Sequence, residues 1–466
     1  MCDNVTALGS AQFEGLQPLE HPSRDSKRDG WVRFDPQKRA GSARLKTAIA
    51  TLIADLEAHE ARLKPRKHRR TQTALTSYQL AAEAIAANLL WSTLDPLSRP
   101  LAVPRDAATL RGKSRYKPVC YGLAFTDVLD LLAHPEVDLA HDLTRGYSYK
   151  GGHSAPSTVR PTAAFLARYA PSDLAWQDLR READPEVLIL KEPREGREGG
   201  KRRIEFEDTG RTKKLRRNVE RINSFLLRAP IFLLPGPPGG DLDTLGQPMD
   251  PSRRTVKRVF NDASWLKNGR LYGAFWINMP KVDRFQRLRL GSAAHPEGEP
   301  IVSCDFKQFN VRATYHLANQ PVPPGDLYDI EGGGRNREAY KKLTNAMLNA
   351  GKRLQNLPRD VQAALPPGSK AKDFIAAIER YHAPIAHRFW TGVGFQLAAI
   401  ESAILIDCLH ALHKENVTAL PLHDAILCPR SEASRVCDVM EIVSGLYGEG
   451  LRARPSIEEY HSSSVT

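Results

Sequence analysis

The sequence predicts an α+β protein of two or three domains. With 466 residues the chain has ample material for more than one hydrophobic core. The first half contains two long stretches that predict helices: at about 41–62 the apolar residues recur at helical spacing, and about 74–93 is Ala-rich and strongly helix-forming. The second half contains short apolar runs typical of buried strands, including residues 301–304, next to segments with helical spacing. Strands and helices therefore share the second half, while helices dominate the first.

Four segments follow one another along the chain. Residues 1–40 are polar and mixed in charge, and we expect them to be disordered. Residues 41–232 form a mainly helical region, and residues 233–252 are a Pro- and Gly-rich linker. Residues 253–466 form a second domain that mixes strands and helices.

Charge and composition narrow the class of protein. A formal net charge of +13 at pH 7 favours a polyanionic partner, either nucleic acid or an acidic surface. The N-terminus lacks the pattern of a signal peptide, and we find no apolar run near the roughly 18 residues that span a membrane. We therefore expect a cytoplasmic protein with no membrane partner. The six cysteines include no C-x-x-C pair, which predicts reduced, mostly buried thiols.

The segment 121–165 suggests a winged helix. An apolar helix is followed by RGYSYKGGHSAPSTVRPT, which predicts two short strands around a Gly-containing turn. Tyr147 and Lys150 are candidate contacts to nucleic acid, since aromatic rings stack on bases and cations neutralise phosphates. An ordinary hairpin with solubilising charges explains the pattern equally well.

A basic helix is predicted near residues 211–228. Its apolar residues lie toward its C-terminal end, which leaves four cations near the other end. These candidate contacts to a nucleic-acid backbone are Lys213, Lys214, Arg216 and Arg217. The alternative is a solvated helix face.

Two acids in the second half occupy the ends of apolar runs. Asp305 lies where the strand 301–304 gives way to a segment with helical spacing, and Asp424 lies between two strand-like halves with room for a tight turn. Carboxylates at the ends of neighbouring strands suit a divalent metal, because hard cations take oxygen ligands. A single acid at a strand end is more often a turn former or a cap.

Several short motifs occur in the order found in a known family. IVSCDFKQFNVR is similar to motif A of the family A DNA polymerases (the bacterial DNA polymerase I type), and LPLHDAILCP resembles motif C. REAYK has the R-x-x-x-K spacing of motif B, and NGRLYGAFWINMP resembles the family's T-G-R-L stretch that ends in N-I-P. The matching residues are Asp305, Gln308, Arg312, His423, Asp424, Arg337, Lys341, Gly269, Arg270, Leu271, Asn278 and Pro280. The resemblance covers roughly residues 255–450.

The resemblance implies a polymerase palm, an antiparallel sheet backed by helices, and a reduced fingers region in residues 253–466. Residues 41–232 would then serve as a thumb or as a nucleic-acid-binding module. It implies that Asp305 and Asp424, with the backbone carbonyl of Phe306, hold two Mg²⁺ ions, for which Mn²⁺ could substitute. Arg337 and Lys341 would bind the triphosphate of an incoming dNTP, and Lys341 would also protonate the leaving group.

The remaining family positions concern the nucleotide and the primer–template DNA. Gln308, Asn310, Phe306 and Asn345 would lie at the nucleotide site. Arg270, Asn278 and His423 would contact DNA. Gln396 could parallel a family glutamine that touches the duplex, but helix packing or capping explains both Gln396 and Glu401 better.

Departures from the family pattern affect substrate preference. Ala425 stands where the family has a Glu, so one supporting carboxylate is missing. Phe306 and Asn310 replace the Tyr and Glu that close off the space for a sugar 2′-hydroxyl, and Asn345 replaces an aromatic residue. Discrimination between deoxyribonucleotides and ribonucleotides is therefore open.

The sequence thus predicts a template-directed DNA polymerase without a proofreading exonuclease. Two alternatives stay open. One is a DNA-binding replication or regulatory protein whose palm is not catalytic; the other is a nucleotidyltransferase that needs no template. Retention of both acids and both motif B cations favours the polymerase.

Overall fold

The structure, a computed structural model, describes residues 30–148, 154–193, 201–236 and 241–459. Helices and several small sheets alternate along these residues, which confirms the α+β class.

The N-terminal part combines helices with a small mixed sheet. Its sheet has the strand order β1-β3-β7-β4, in which β7 is antiparallel to both β3 and β4. The elements in chain order are β1 (Val32–Arg33), β2 (Lys38–Ala40), α1 (Ala43–Leu63), α2 (Gln72–Ser92), β3 (Leu101–Val103), α3 (Ala107–Arg111), α4 (Leu123–Leu132), β4 (Ala140–Thr144), β5 (Tyr147–Ser148), β6 (Ser154–Ala155), β7 (Ser157–Pro161), α5 (Ala163–Tyr169) and β8 (Leu179–Arg181).

The two long helices confirm the helical spacing seen in the sequence. Each begins with a side-chain cap: Ser42 accepts from the backbone N–H of Leu45, and Thr71 accepts from that of Ala74. The predicted disorder of residues 1–40 is wrong for residues 30–40. Val32 is buried there, and Lys38 is fully buried in an ion pair that the polar composition of the segment did not reveal.

The C-terminal part contains a larger antiparallel sheet surrounded by helices. Its strand order is β10-β13-β14-β16-β15, and β17 also pairs with β14. The elements are β9 (Leu188–Leu190), α6 (Gly210–Leu226), β10 (Ile231–Leu233), β11 (Lys257–Phe260), β12 (Asn268–Tyr272), α7 (Phe275–Asn278), α8 (Lys281–Arg287), β13 (Leu288–Leu290), β14 (Glu299–Asp305), α9 (Phe309–Leu317), α10 (Arg337–Asn349), α11 (Arg359–Ala364), α12 (Ala371–Tyr381), α13 (Gly394–Lys414), β15 (Leu420–Leu422), β16 (Ala425–Pro429), α14 (Ala433–Tyr447) and β17 (Ser456–Glu458).

The two hydrophobic cores do not divide at the Pro- and Gly-rich segment. One core runs from Val32 to Leu179, and the other runs from Val187 to Leu451. The basic helix α6 and strand β10, assigned to the N-terminal region from the sequence, therefore belong to the C-terminal core. The physical reason is that α6 buries Val219, Ile222 and Leu226 against that core, which its many charges had masked.

Buried ion pairs join the two parts. Lys38 Nζ lies 2.5 Å from Asp250 Oδ2, and both side chains are almost completely buried. Asp35 of the N-terminal part lies 3.5 Å from Arg253 of the C-terminal part and 2.9 Å from Arg181. Charges at this joint are therefore matched with charges of the opposite sign.

Helix α13 is apolar and long enough to cross a membrane by length and composition alone. Half of that stretch is buried inside the protein, where α13 packs against β12, α14, α9 and α6. A core helix of a water-soluble domain has the same character. Glu401, Ser402 and Asp407 interrupt this stretch, so the sequence shows no unbroken apolar run of that length.

The prediction of reduced, buried thiols is confirmed for the cysteines that the structure describes. Cys120, Cys304, Cys408, Cys428 and Cys437 are all free and buried.

Candidate active site

The two predicted acids lie at adjacent strand ends. Asp305 is the last residue of β14 and pairs in register with Ala425, the first residue of β16. Asp424 directly precedes Ala425 in a two-residue turn between β15 and β16, where Leu422 pairs with Ala425. The strand-to-helix change at Asp305 and the hairpin at residues 420–429 are both confirmed.

Burial of the strands and a special backbone conformation hold this turn in place. The side chains of Val302, Cys304 and Ile426 are completely buried beneath it. His423 has φ of +57°, in the left-handed region that tight hairpin turns require at their first central position. A non-glycine residue in this conformation costs energy, so the packed strands on both sides must hold it.

The electrostatic environment of Asp305 is unusual for an acid. Removal from water raises the pKa of its carboxyl, and the negative charge of Asp424 raises it further, to about 7. Lys341 and Arg270 oppose this rise only in part. Asp305 is nevertheless exposed to solvent at the end of its strand. Nearby cations therefore offset the burial and the repulsion from Asp424 only in part, and a dissolved cation can reach this carboxylate.

Asp424 lies at one end of a chain of ion pairs. Nη2 of Arg270, on β12, is 3.1 Å from Oδ2 of Asp424 and 2.5 Å from Oε2 of Glu401. Burial raises the pKa of Glu401 to about 7, although Arg270 lowers it; Asp424 and Asp305 also contribute to the rise. Three carboxylates thus share one electrostatic environment.

Glu401 belongs to this site, although helix packing or capping was the favoured interpretation of this residue from the sequence. It lies inside α13, is only 3 % exposed, and belongs to a helix that packs directly on β12. The neighbouring Ser402 hydroxyl donates to the carbonyl oxygen of Gly269 on β12. The only sequence signal was an acid within an apolar helix, GFQLAAIESAIL, which helix packing or capping explains better than a site does.

Asp326 is a further acid at the site, and it was not predicted from the sequence. Its Oδ2 is 2.5 Å from Nε of Arg337, the first residue of α10, and its Oδ1 accepts from Nε2 of Gln308 at 2.9 Å. The positive charge of Lys341 also helps to lower the pKa of Asp326. Asp326 sits in a Pro-Gly-Asp loop, where an acid is an ordinary turn former, so no sequence signal distinguished it.

Helix α10 presents its cations toward the acids. Arg337 and Lys341 are one turn apart, as predicted, and Lys341 acts on both Asp305 and Asp326. Nδ2 of Asn310 on α9 donates to Oδ1 of Asn345 on α10 at 3.0 Å. Phe306, nearly buried, contacts Phe309 at 5.5 Å between ring centroids. The positions assigned to nucleotide binding therefore lie on facing elements.

The donor set fits a hard divalent cation only in part. Among the described residues, no group of three or more His, Cys, Asp or Glu side chains is arranged to hold a metal ion. Asp305 and Asp424 would supply two carboxylates, and the raised pKa of Asp305 reflects negative charge that the protein leaves uncompensated. Mg²⁺ commonly binds in this way, through one or two carboxylates with water and substrate phosphates as further ligands.

The remaining predicted contacts differ in how accessible they are. Lys213, Lys214 and Arg217 are exposed on α6, whereas Arg216 is held by Glu186 at 2.8 Å and Asp208 at 2.7 Å. Gln396 is exposed in the first turn of α13.

Four further predicted contacts remain, namely Asn278, Tyr147, Lys150 and His423. Asn278 ends the short helix α7, and the structure shows no contact between it and the carboxylates among the described residues. Tyr147 is exposed on β5, and Lys150 lies outside the described residues. The ring of His423 is 6.0 Å from that of Tyr272, and burial lowers its pKa.

The site thus comprises Asp305 and Asp424 at adjacent strand ends, with Lys341 of α10 near enough to Asp305 to lower its pKa. Arg270 and Glu401 lie behind Asp424, and Asp326 holds Arg337. Neither a scan against protein-family models nor a search of curated proteins finds a match to this chain.

Proposed function

We propose that the chain is a template-directed DNA polymerase that transfers a nucleotidyl group from a dNTP to a primer 3′-hydroxyl. The observation that supports this most strongly is the pair Asp305 and Asp424 at adjacent strand ends, with Lys341 of α10 near Asp305. Phosphoryl transfer depends on the positioning of the reactants and on positive charge more than on covalent catalysis, and this site offers both.

The residues divide the work between metal and triphosphate. Mg²⁺ bound to Asp305 and Asp424 would supply the charge that activates the primer hydroxyl and stabilises the departing pyrophosphate. Lys341 forms no ion pair with any described residue, so it can bind the triphosphate without losing a partner. It can then hold a proton for the leaving group. Arg337 would leave Asp326 and bind a phosphate instead, because a phosphate, like a carboxylate, can accept two hydrogen bonds from one guanidinium.

Two other surfaces support a nucleic-acid partner. Helix α6 carries exposed cations. It packs beside α13, the helix that carries Glu401 of the site. In the N-terminal part, α2, β3, α3, α4, β4 and β7 follow in the order of a winged helix, with β7 between β3 and β4. The exposed side of α4 carries Asp127 and Asp130, so we propose that the β4–β7 hairpin, and not α4, approaches DNA.

Primer extension on a templated primer with Mg²⁺ tests this function. We expect extension by the wild type and loss of at least about a thousandfold in Asp305→Ala and Asp424→Ala, because each removes a metal ligand. Asp407→Asn, an exposed acid on α13, is the matched control and should extend normally. Equal activity in wild type and both alanine variants rejects the polymerase.

The same assay separates the alternatives. Addition of nucleotides to single strands without a template supports a template-independent nucleotidyltransferase. Duplex binding with no synthesis supports a non-catalytic DNA-binding protein. A mismatched primer terminus should remain uncleaved, because we propose no proofreading exonuclease.

A further inference from the structure

One buried carboxylate at the site has no role in the proposed reaction. Glu401 lies behind the cleft on α13 and contacts Nη2 of Arg270 at 2.5 Å. That same nitrogen lies 3.1 Å from Oδ2 of Asp424. A single guanidinium nitrogen therefore serves both a buried acid and a proposed metal ligand.

This sharing creates a competition for Asp424. A divalent cation at Asp424 and the Arg270 guanidinium repel each other, so Arg270 must shift away from the oxygen that it contacts when the cation binds. Withdrawal of a half-buried guanidinium is costly when no anion remains beside it. Glu401 provides that anion on the side away from the cleft, so Arg270 can leave Asp424 and stay paired.

The scaffold keeps Glu401 and Arg270 in a fixed relation. Helix α13 packs along β12, and the Ser402 hydroxyl donates to the Gly269 carbonyl oxygen, so neighbours of both residues are bonded to each other. Ala425, opposite Asp305, provides no carboxylate of its own. Glu401 brings one to the site from a different element.

We propose that Glu401 is a positioning residue that lets Arg270 withdraw from Asp424 and so opens Asp424 to a divalent cation. The inference rests on the proposed metal chemistry. Without Glu401, Asp424 is the carboxylate left to Arg270, and the guanidinium covers the metal ligand.

Mn²⁺ binding to the full chain, followed by electron paramagnetic resonance of the free ion, tests this role without any turnover. The series is wild type, Glu401→Gln, Arg270→Gln and the double variant. We expect Glu401→Gln to weaken Mn²⁺ binding about tenfold, as losses of outer-shell partners do. Arg270→Gln should bind Mn²⁺ more tightly than wild type. Once Arg270 is gone, adding Glu401→Gln should change the affinity much less than it does in the wild type.

The double variant distinguishes positioning from simple charge. If Glu401 only adds negative charge, its replacement weakens Mn²⁺ binding at least as much in the Arg270→Gln background, and the inference is then wrong. Asp407→Asn removes the same charge from the exposed side of α13 and should leave Mn²⁺ affinity unchanged. If Glu401→Gln does not fold, the single variant Arg270→Gln still decides: affinity equal to or weaker than wild type overturns the competition.

Failure of the inference and failure of the proposed function look different. Mn²⁺ binding that Asp424→Ala abolishes and Glu401→Gln leaves unchanged overturns the role of Glu401 alone. Wild-type protein that binds no Mn²⁺ through Asp305 and Asp424 overturns the polymerase proposal as well.

Discussion

Asp35, at the joint between the two parts, and Asp305, at the cleft, are aspartates with opposite environments. Burial alone would raise the pKa of Asp35, but Arg181, Arg253 and Lys38 outweigh it and hold that pKa far below its usual range. At Asp305, burial and the neighbouring Asp424 raise the pKa to about 7, and the nearby cations do not offset them. The protein offsets the charge of Asp35 where the two parts join and leaves the charge of Asp305 only partly offset where we propose chemistry.

The difference has a physical meaning. A matched buried charge serves the stability of the native state, whereas an unmatched one costs stability and is retained when it has a function. The comparison therefore predicts opposite effects when each carboxylate is neutralised.

Neutralising Asp35 should give the largest effect. Asp35→Asn leaves Arg181 and Arg253 with less negative charge in a buried setting, and we expect the free energy of unfolding to fall by about 3 kcal/mol or more. Urea unfolding of the full chain measures it. A change below about 0.5 kcal/mol, the range of ordinary surface substitutions, would show that the joint does not depend on matched charge.

Divalent cations should stabilise the wild type. At a hundredfold excess over the dissociation constant, bound Mn²⁺ raises the free energy of unfolding by about 2.7 kcal/mol. Thermal melting with and without a chelator detects the shift, which Asp305→Asn and Asp424→Asn should abolish. An equal shift in the variants would place the metal elsewhere.

Asp305→Asn should stabilise the metal-free protein by about 1 kcal/mol near neutral pH, a modest value because water screens an acid open to the cleft. Between pH 3.8 and about 7 the folded protein keeps a proton at Asp305 that the unfolded chain releases. The contribution of Asp305 to stability therefore falls as pH rises across this window and stays low above it.

Melting curves against pH, with a chelator present, test this sign. The difference between Asp305→Asn and wild type should grow from about pH 4 to about pH 7 and then level off. Melting temperatures that run parallel at every pH would contradict a raised pKa at Asp305.

The smallest effect on stability is expected on α6, where paired and open cations lie side by side. Replacing Lys213, Lys214 and Arg217 by Ala should leave stability unchanged, while the dependence of duplex affinity on salt should fall by about two to three in logarithmic slope. Arg216→Ala is the matched control. Its ion pairs with Glu186 and Asp208 predict a loss of about 1–2 kcal/mol in stability and an unchanged salt slope.

Local pattern was sufficient for much of the site. The apolar run before Asp305 and the halves around Asp424 predicted the strands and the turn, because burial in a sheet leaves a signal in neighbouring residues. The spacing of Arg337 and Lys341 placed both on one helical face, because residues four apart lie one turn apart on a helix. Helix α1 followed from the spacing of its apolar residues, and α2 followed from its Ala-rich composition.

Tertiary structure alone decided the residues that join distant elements. Glu401 and Asp326 became part of the site because α13 packs on β12 and because a loop folds back onto α10. The division between the cores was set by the buried face of α6, not by the flexible composition that follows it. Pairing across such distances leaves no periodic mark in the sequence, since each residue alone has an ordinary local explanation. The pKa of Asp305 is of the same kind: it depends on Asp424, more than a hundred residues away, which only the hairpin brings beside it.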